Sequence, residues 1–96
     1  MPTVDLVFRD LPDKFEWVEG CIGNNRIHFN LALGNFEILL RHTMHPFGDG
    51  YGWLSCLYMF GSSFNMDREP FNIDYCDTPD EAKQAFEKWI RAREVK

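Results

Sequence analysis

The sequence predicts an α+β fold, a curved antiparallel β-meander of about five or six strands with one C-terminal α-helix packed on it. Three observations carry this expectation. Up to Cys76, apolar residues recur at every second position in short runs separated by turn residues, which is the period of half-buried strands. After Asp77 the period changes, and Ala82, Ala85, Phe86, Trp89 and Ile90 fall on one face of an α-helix. The connections are short, which favours antiparallel strands in chain order.

Residues 3–8 begin the meander, with Val4, Leu6 and Phe8 on one side and Leu11-Pro12-Asp13 as the closing turn. Residues 15–22 set Phe15, Trp17, Glu19 and Cys21 against Glu16, Val18, Gly20 and Ile22, a mixed pattern that suits an edge or curved strand. Gly23-Asn24-Asn25 is turn chemistry, because Gly and Asn tolerate positive φ. Residues 26–33 alternate most clearly, Ile27, Phe29, Leu31 and Leu33 against Arg26, His28, Asn30 and Ala32. His28 is thereby directed to the polar side of its strand. Gly34-Asn35 closes a tight hairpin, and residues 36–42 return with Phe36, Ile38 and Leu40 inward.

Residues 53–60 are apolar at both parities, as in a strand covered on both faces. Gly61-Ser62-Ser63 is expected to turn the chain, and Phe71, Ile73 and Tyr75 to alternate with Asn72, Asp74 and Cys76 in a last strand. The helix then starts on Thr78 as N-cap, Pro79 at the first helical position and Glu81 as third residue of a capping box. Burying Phe86, Trp89 and Ile90 contributes roughly 1.5 to 3 kcal/mol each before entropy, so this face must dock on the sheet.

A chain of 96 residues, 45% hydrophobic and 16% aromatic, suits one domain over residues 1–96 with a core that needs neither metal nor disulfide. Cys21, Cys56 and Cys76 are odd in number and lack CxxC spacing, and no charged-then-apolar leader precedes Val4; a reduced, cytoplasmic protein is expected. No apolar run nears the roughly 20 residues that span a bilayer, so no membrane association is expected. The formal charge is −5, yet residues 80–96 carry five bases against four acids, leaving −6 on the first 79 residues. Asp67, Glu69, Asp74 and Asp77 are offset locally only by Arg68. Such a surface repels phosphate backbones and attracts basic proteins, so a protein partner with a basic surface is expected and direct nucleic-acid binding is not. The plainer account of the same charge is solubility.

Residues 42–53 hold the densest set of unusual side chains. As a metal site they offer His42, His45 and Asp49, short of the four ligands of a structural zinc site. As a binding loop they offer Phe47, Tyr51 and Trp53 as aromatic anchors, with Asp49 beside them. As a plain crossover, the glycines permit the bend and the aromatics fold back on the core. Gly48, Gly50 and Gly52 make a poor phosphate loop, because neither Lys nor Thr follows and the next run is strand-like. The cysteines and Ser55, Ser62 and Ser63 lack a nucleophile context, and Asp74 and Asp77 are explained by the helix start beside them. No catalytic residue, cofactor or metal is assigned.

The ending Asp77-Thr78-Pro79-Asp80-Glu81-Ala82-Lys83-Gln84-Ala85-Phe86, a strand run into a capped helix after short aromatic-rich strands, resembles the close of small phage- and prophage-encoded accessory proteins. Some of these inhibit bacterial defence systems, anti-CRISPR proteins among them. The resemblance implies a meander with a terminal helix and an inhibitory role, and no functional residue is carried over from it. The expected function is thus a non-enzymatic protein that binds and inhibits or regulates a protein partner, occupying a basic nucleic-acid-binding surface through Phe47, Asp49, Tyr51, Trp53, Asp67, Glu69, Asp74 and Asp77. The alternatives are a toxin-neutralising immunity protein, and a small-ligand binder or enzyme using residues 42–53 with His42, His45 and Trp53. A monomer, or a homodimer through the exposed edge of residues 15–22, is expected.

Overall fold

The computed structural model describes residues 8–23, 26–44, 50–59, 61–68 and 71–94. Five strands form one open antiparallel sheet in chain order: β1 (Val18–Ile22), β2 (Arg26–Leu33), β3 (Phe36–Met44), β4 (Tyr51–Met59) and β5 (Ser62–Asn65), followed by helix α1 (Pro79–Arg91). The β2–β3 hairpin turns on Gly34, whose φ of 60° is a conformation that costs glycine nothing. That turn sets the register Leu33↔Phe36, Leu31↔Ile38, Phe29↔Leu40 and His28↔Arg41. Directly opposed residues share a face. Phe29, Leu31, Leu33, Ile38, Leu40, His42, Trp53, Ser55 and Leu57 therefore line the helix side of the sheet, and His28, Leu39, Arg41, Leu54 and Cys56 the opposite side.

The helix forms as its caps require. The Thr78 hydroxyl accepts the Glu81 N–H at 3.2 Å and Pro79 opens the first turn. Asp80 and Glu81 stand in that turn and Lys88 and Arg91 in the last, each complementing the helix dipole. Ala82, Phe86 and Ile90 are buried, and Phe86 and Ile90 join Leu31, Leu33, Ile38 and Leu57 in one core. Trp17, ahead of β1, meets the Phe86 ring edge-on at 5.7 Å and donates its indole N–H to Glu87 at 3.1 Å. Trp89 is half-buried between Phe8, Phe71 and the Arg93 guanidinium. Arg91 covers the Phe15 ring and donates to the Pro12 and Asp13 carbonyls, tying the chain before β1 to the helix end.

The expected strand over 3–8 lies outside the described residues except for Phe8, which is buried and bridges Glu94 beyond the helix instead of entering the sheet. Two expectations are corrected. Ser62 and Ser63, read as turn, are strand residues of β5 paired with Met59 and Tyr58, because Gly61 with φ 81° completes the reversal. Residues 71–76, read as a strand, form no ladder. Phe71 and Ile73 are buried as the alternation requires, but Asn72 takes a φ of 54°, which breaks the extended backbone. Only Cys76 pairs with the sheet, opposite Trp53. The apolar run of β4 is covered on both faces at its middle, with Leu54, Ser55, Cys56 and Leu57 all buried. Among the described residues no helix is long and apolar enough to cross a membrane.

Phe86→Ala is expected to lower stability by about 3 to 5 kcal/mol, the cost of a cavity at a fully buried aromatic. Thr78→Ala removes a single cap bond and should cost about 1 kcal/mol. Urea unfolding of the two variants beside the parent protein checks both, and equal losses would refute this view of the helix.

Candidate functional site

The sheet divides at one end. The β2–β3 ladder stops at His28↔Arg41, while β1–β2 continues to Ile22↔Arg26 and β3–β4 to Met44↔Tyr51. The two hairpins therefore part, and a cleft of about 590 Å³ opens between them, lined by Arg26, His28, Arg41, His42, Tyr51 and Trp53 among others.

On the helix side of this divided end the register builds an aromatic row. His42 stacks on Tyr51 with ring centroids 5.5 Å apart and tilts against Trp53 at 5.2 Å. Trp53 meets Phe29 at 5.8 Å, and the Lys83 ammonium caps Phe29 at 3.7 Å from α1. Tyr51 is 63% exposed, Met44 59% and Ile27 48%, so the row ends in uncovered apolar surface. Tyr51, expected on a glycine loop, is instead a residue of β4, and Trp53, read both as the end of that loop and as the start of the strand over 53–60, lies within β4. Thr43 pairs with Gly52 and Met44 with Tyr51 across the hairpin, so residues 42–44 and 51–53 of the expected loop are strand. Phe47, Asp49 and His45 lie outside the described residues, as does Glu69.

The helix start joins this surface through backbone bonds. The Trp53 N–H donates to the Cys76 carbonyl at 2.8 Å and the Cys76 N–H to the Trp53 carbonyl at 3.1 Å. Asp74 and Asp77 are exposed on either side of Cys76. The Cys76 thiol is pushed up, first by burial and then by the negative charges of Glu81, Asp74 and Asp77, three carboxylates around one spot. Asp67 is elsewhere. Its negative charge disfavours ionisation of the Tyr75 hydroxyl, whose pKa is raised by burial first and by Asp67 next, and it likewise raises that of Cys56 on the opposite face. The acidic set read from the sequence thus divides, with Asp74 and Asp77 beside the aromatic row and Asp67 apart from it. Among the described residues no group of three His, Cys, Asp or Glu is placed to hold a metal ion.

Arg26, His28 and Arg41 were not assembled from the sequence into a site. The signal existed: a hairpin closed at Gly34-Asn35 forces His28 opposite Arg41 and leaves Arg26 on the same side. The His28 ring lies over Gly20 of β1, where an added Cβ would stand 2.6 Å from Nε2. Gly20→Ala is therefore expected to displace the imidazole, with a perturbed His28 ring signal in NMR spectra and little loss of stability in a His28→Ala background. A Gly20→Ala protein with an unmoved ring would refute this packing.

The three thiols differ in access. Cys21 is exposed. Cys56 is buried, donates to Asn65 Oδ1 at 3.2 Å, and has its pKa raised by burial against the opposing pull of Arg41. Alkylation of the native protein near neutral pH, followed by mass spectrometry, should label Cys21 first, Cys76 more slowly and Cys56 only on unfolding. Neither a family model, nor a curated protein, nor a solved structure matches this chain.

Proposed function

We propose that this protein is a non-catalytic binding protein that docks its divided sheet end on a basic surface of another protein and thereby inhibits or regulates it. One observation carries the reading: the Trp53–Cys76 backbone pair sets exposed carboxylates beside an aromatic row. Tyrosine and tryptophan on a rigid strand supply contact area at low entropic cost and dominate binding energy where they are surrounded by contacts that exclude water. Carboxylates at the rim steer a basic partner and set the association rate. A nucleic-acid-binding surface is basic, and a protein that covers it competes with the phosphate backbone. The inhibitory role implied by the resemblance to phage accessory proteins fits that mode. An immunity protein would use the same physics on a toxin.

The test is affinity capture from a bacterial lysate at low and then moderate salt, followed by binding kinetics on the retained protein. Tyr51→Ala should weaken binding by roughly 2 kcal/mol, about 30-fold in Kd, mainly through faster dissociation. Asp74→Asn with Asp77→Asn should slow association and flatten its salt dependence. Glu37→Gln, exposed on the opposite face at the far end of the hairpin, should change neither. A partner bound equally well by the tyrosine and aspartate variants would overturn the reading.

A further inference from the structure

We propose that the cleft between the parted hairpins is a small-molecule site for a planar aromatic compound bearing a phosphate group, of the mononucleotide class. The inference shares Tyr51 and Trp53 with the protein-binding reading but is carried by Arg26, His28 and Arg41, which that reading does not use. Its volume of about 590 Å³ falls within the roughly 300 to 1,000 Å³ of ligand pockets. Its lining brings Arg26 and His28 of β2 together with Arg41 and His42 of β3 and Tyr51 and Trp53 of β4, and among the described residues no Asp or Glu lines it. In a chain of net charge −5 this is a local reversal of sign.

Neither guanidinium has a carboxylate partner within ion-pair distance among the described residues, where the ion pair formed is Arg91 with Glu94. Arg41 itself is among the lining residues of the cleft. His28 Nδ1 is buried without a hydrogen-bond partner among the described residues. A guanidinium fork matches two phosphate oxygens, and such charge-assisted pairs are about twice as strong as neutral hydrogen bonds. The His42 and Tyr51 rings, stacked on each other, and the Trp53 ring tilted against His42 supply π surface for the planar part of the ligand. Beyond His28↔Arg41 the facing edges of β2 and β3 have no ladder partner in each other, which leaves backbone donors and acceptors for the groups between ring and phosphate. The recognition is by side chains on strands, unlike a glycine loop at a helix start.

The experiment titrates AMP, adenosine and inorganic phosphate into the full chain, following tryptophan fluorescence and thermal unfolding. AMP should saturate and raise the unfolding temperature by mass action, and adenosine should bind at least about tenfold more weakly, for want of the charge-assisted bonds to its phosphate. Arg26→Gln and Arg41→Gln, both at exposed side chains, should each raise the AMP Kd by about tenfold with unchanged circular dichroism. Asp74→Asn with Asp77→Asn should leave AMP binding intact, which separates this site from the acidic docking surface. Absence of saturation at millimolar AMP, equal affinity for adenosine, or indifference to both arginine substitutions would overturn the site. A short single-stranded RNA that binds where AMP does not would overturn it too, in favour of a macromolecular ligand.

Discussion

An open five-stranded sheet has two faces to shield from water, and a single helix of 13 residues is available to cover one of them. The seating of Phe86 and Ile90 among Leu31, Leu33, Ile38 and Leu57 is the contact on which everything else depends, because it decides which parity of every strand is interior. It also determines where the helix begins. The chain before α1 must reach Thr78 from the edge of β4, and the bonds between Trp53 and Cys76 are the last tie that positions it. Phe8, Phe15, Trp17 and Phe71 then close around the helix flanks, which extends the core without adding a second layer.

The 13-residue helix, about 20 Å long, is shorter than the nine-residue strands β3 and β4, about 30 Å each. Past Lys83, which caps Phe29, β3 and β4 run on as an uncovered ribbon, and that is where His42 and Tyr51 stack in the open. Two-stranded ribbons twist more strongly than wide sheets. The β3–β4 ribbon has no reason to follow β1–β2 once the β2–β3 ladder stops at His28↔Arg41. The divided end thus comes from differing strand lengths around one shared hairpin, and the two sheet faces that meet there inherit opposite chemistry from the two parities of β2 and β3.

Charge gives the clearest case of a sum that conceals its parts. The total of −5 describes the molecule at distances beyond the Debye length, about 8 Å at physiological ionic strength. A ligand in the cleft lies within reach of Arg26 and Arg41, separated by 15 positions in sequence and gathered by one hairpin. The acids behave likewise: Asp67 and Asp74 are close in the chain, yet one raises the pKa of Tyr75 and Cys56 and the other that of Cys76.

Most of the fold was legible because local physics and global fold agree along most of the chain. The β2 alternation, the Gly34-Asn35 turn and the Thr78 cap each act within a few residues, and each appears as expected. Misreadings occurred where local signals were overridden. Phe71 and Ile73 have strand alternation, but the left-handed Asn72 lets them enter the core from a loop. Tyr51 and Gly52 sit among glycines that read as loop, and pairing with β3 draws them into β4. Of the candidate site, the sequence by itself determined the residue types, the aromatic and acidic side chains, and the helix with its buried stripe. Only the tertiary structure decided which of them meet, since the joining of Trp53 to Cys76 and of Arg26 to Arg41 depends on ladder ends, and a ladder ends where twist and packing, not local propensity, stop it.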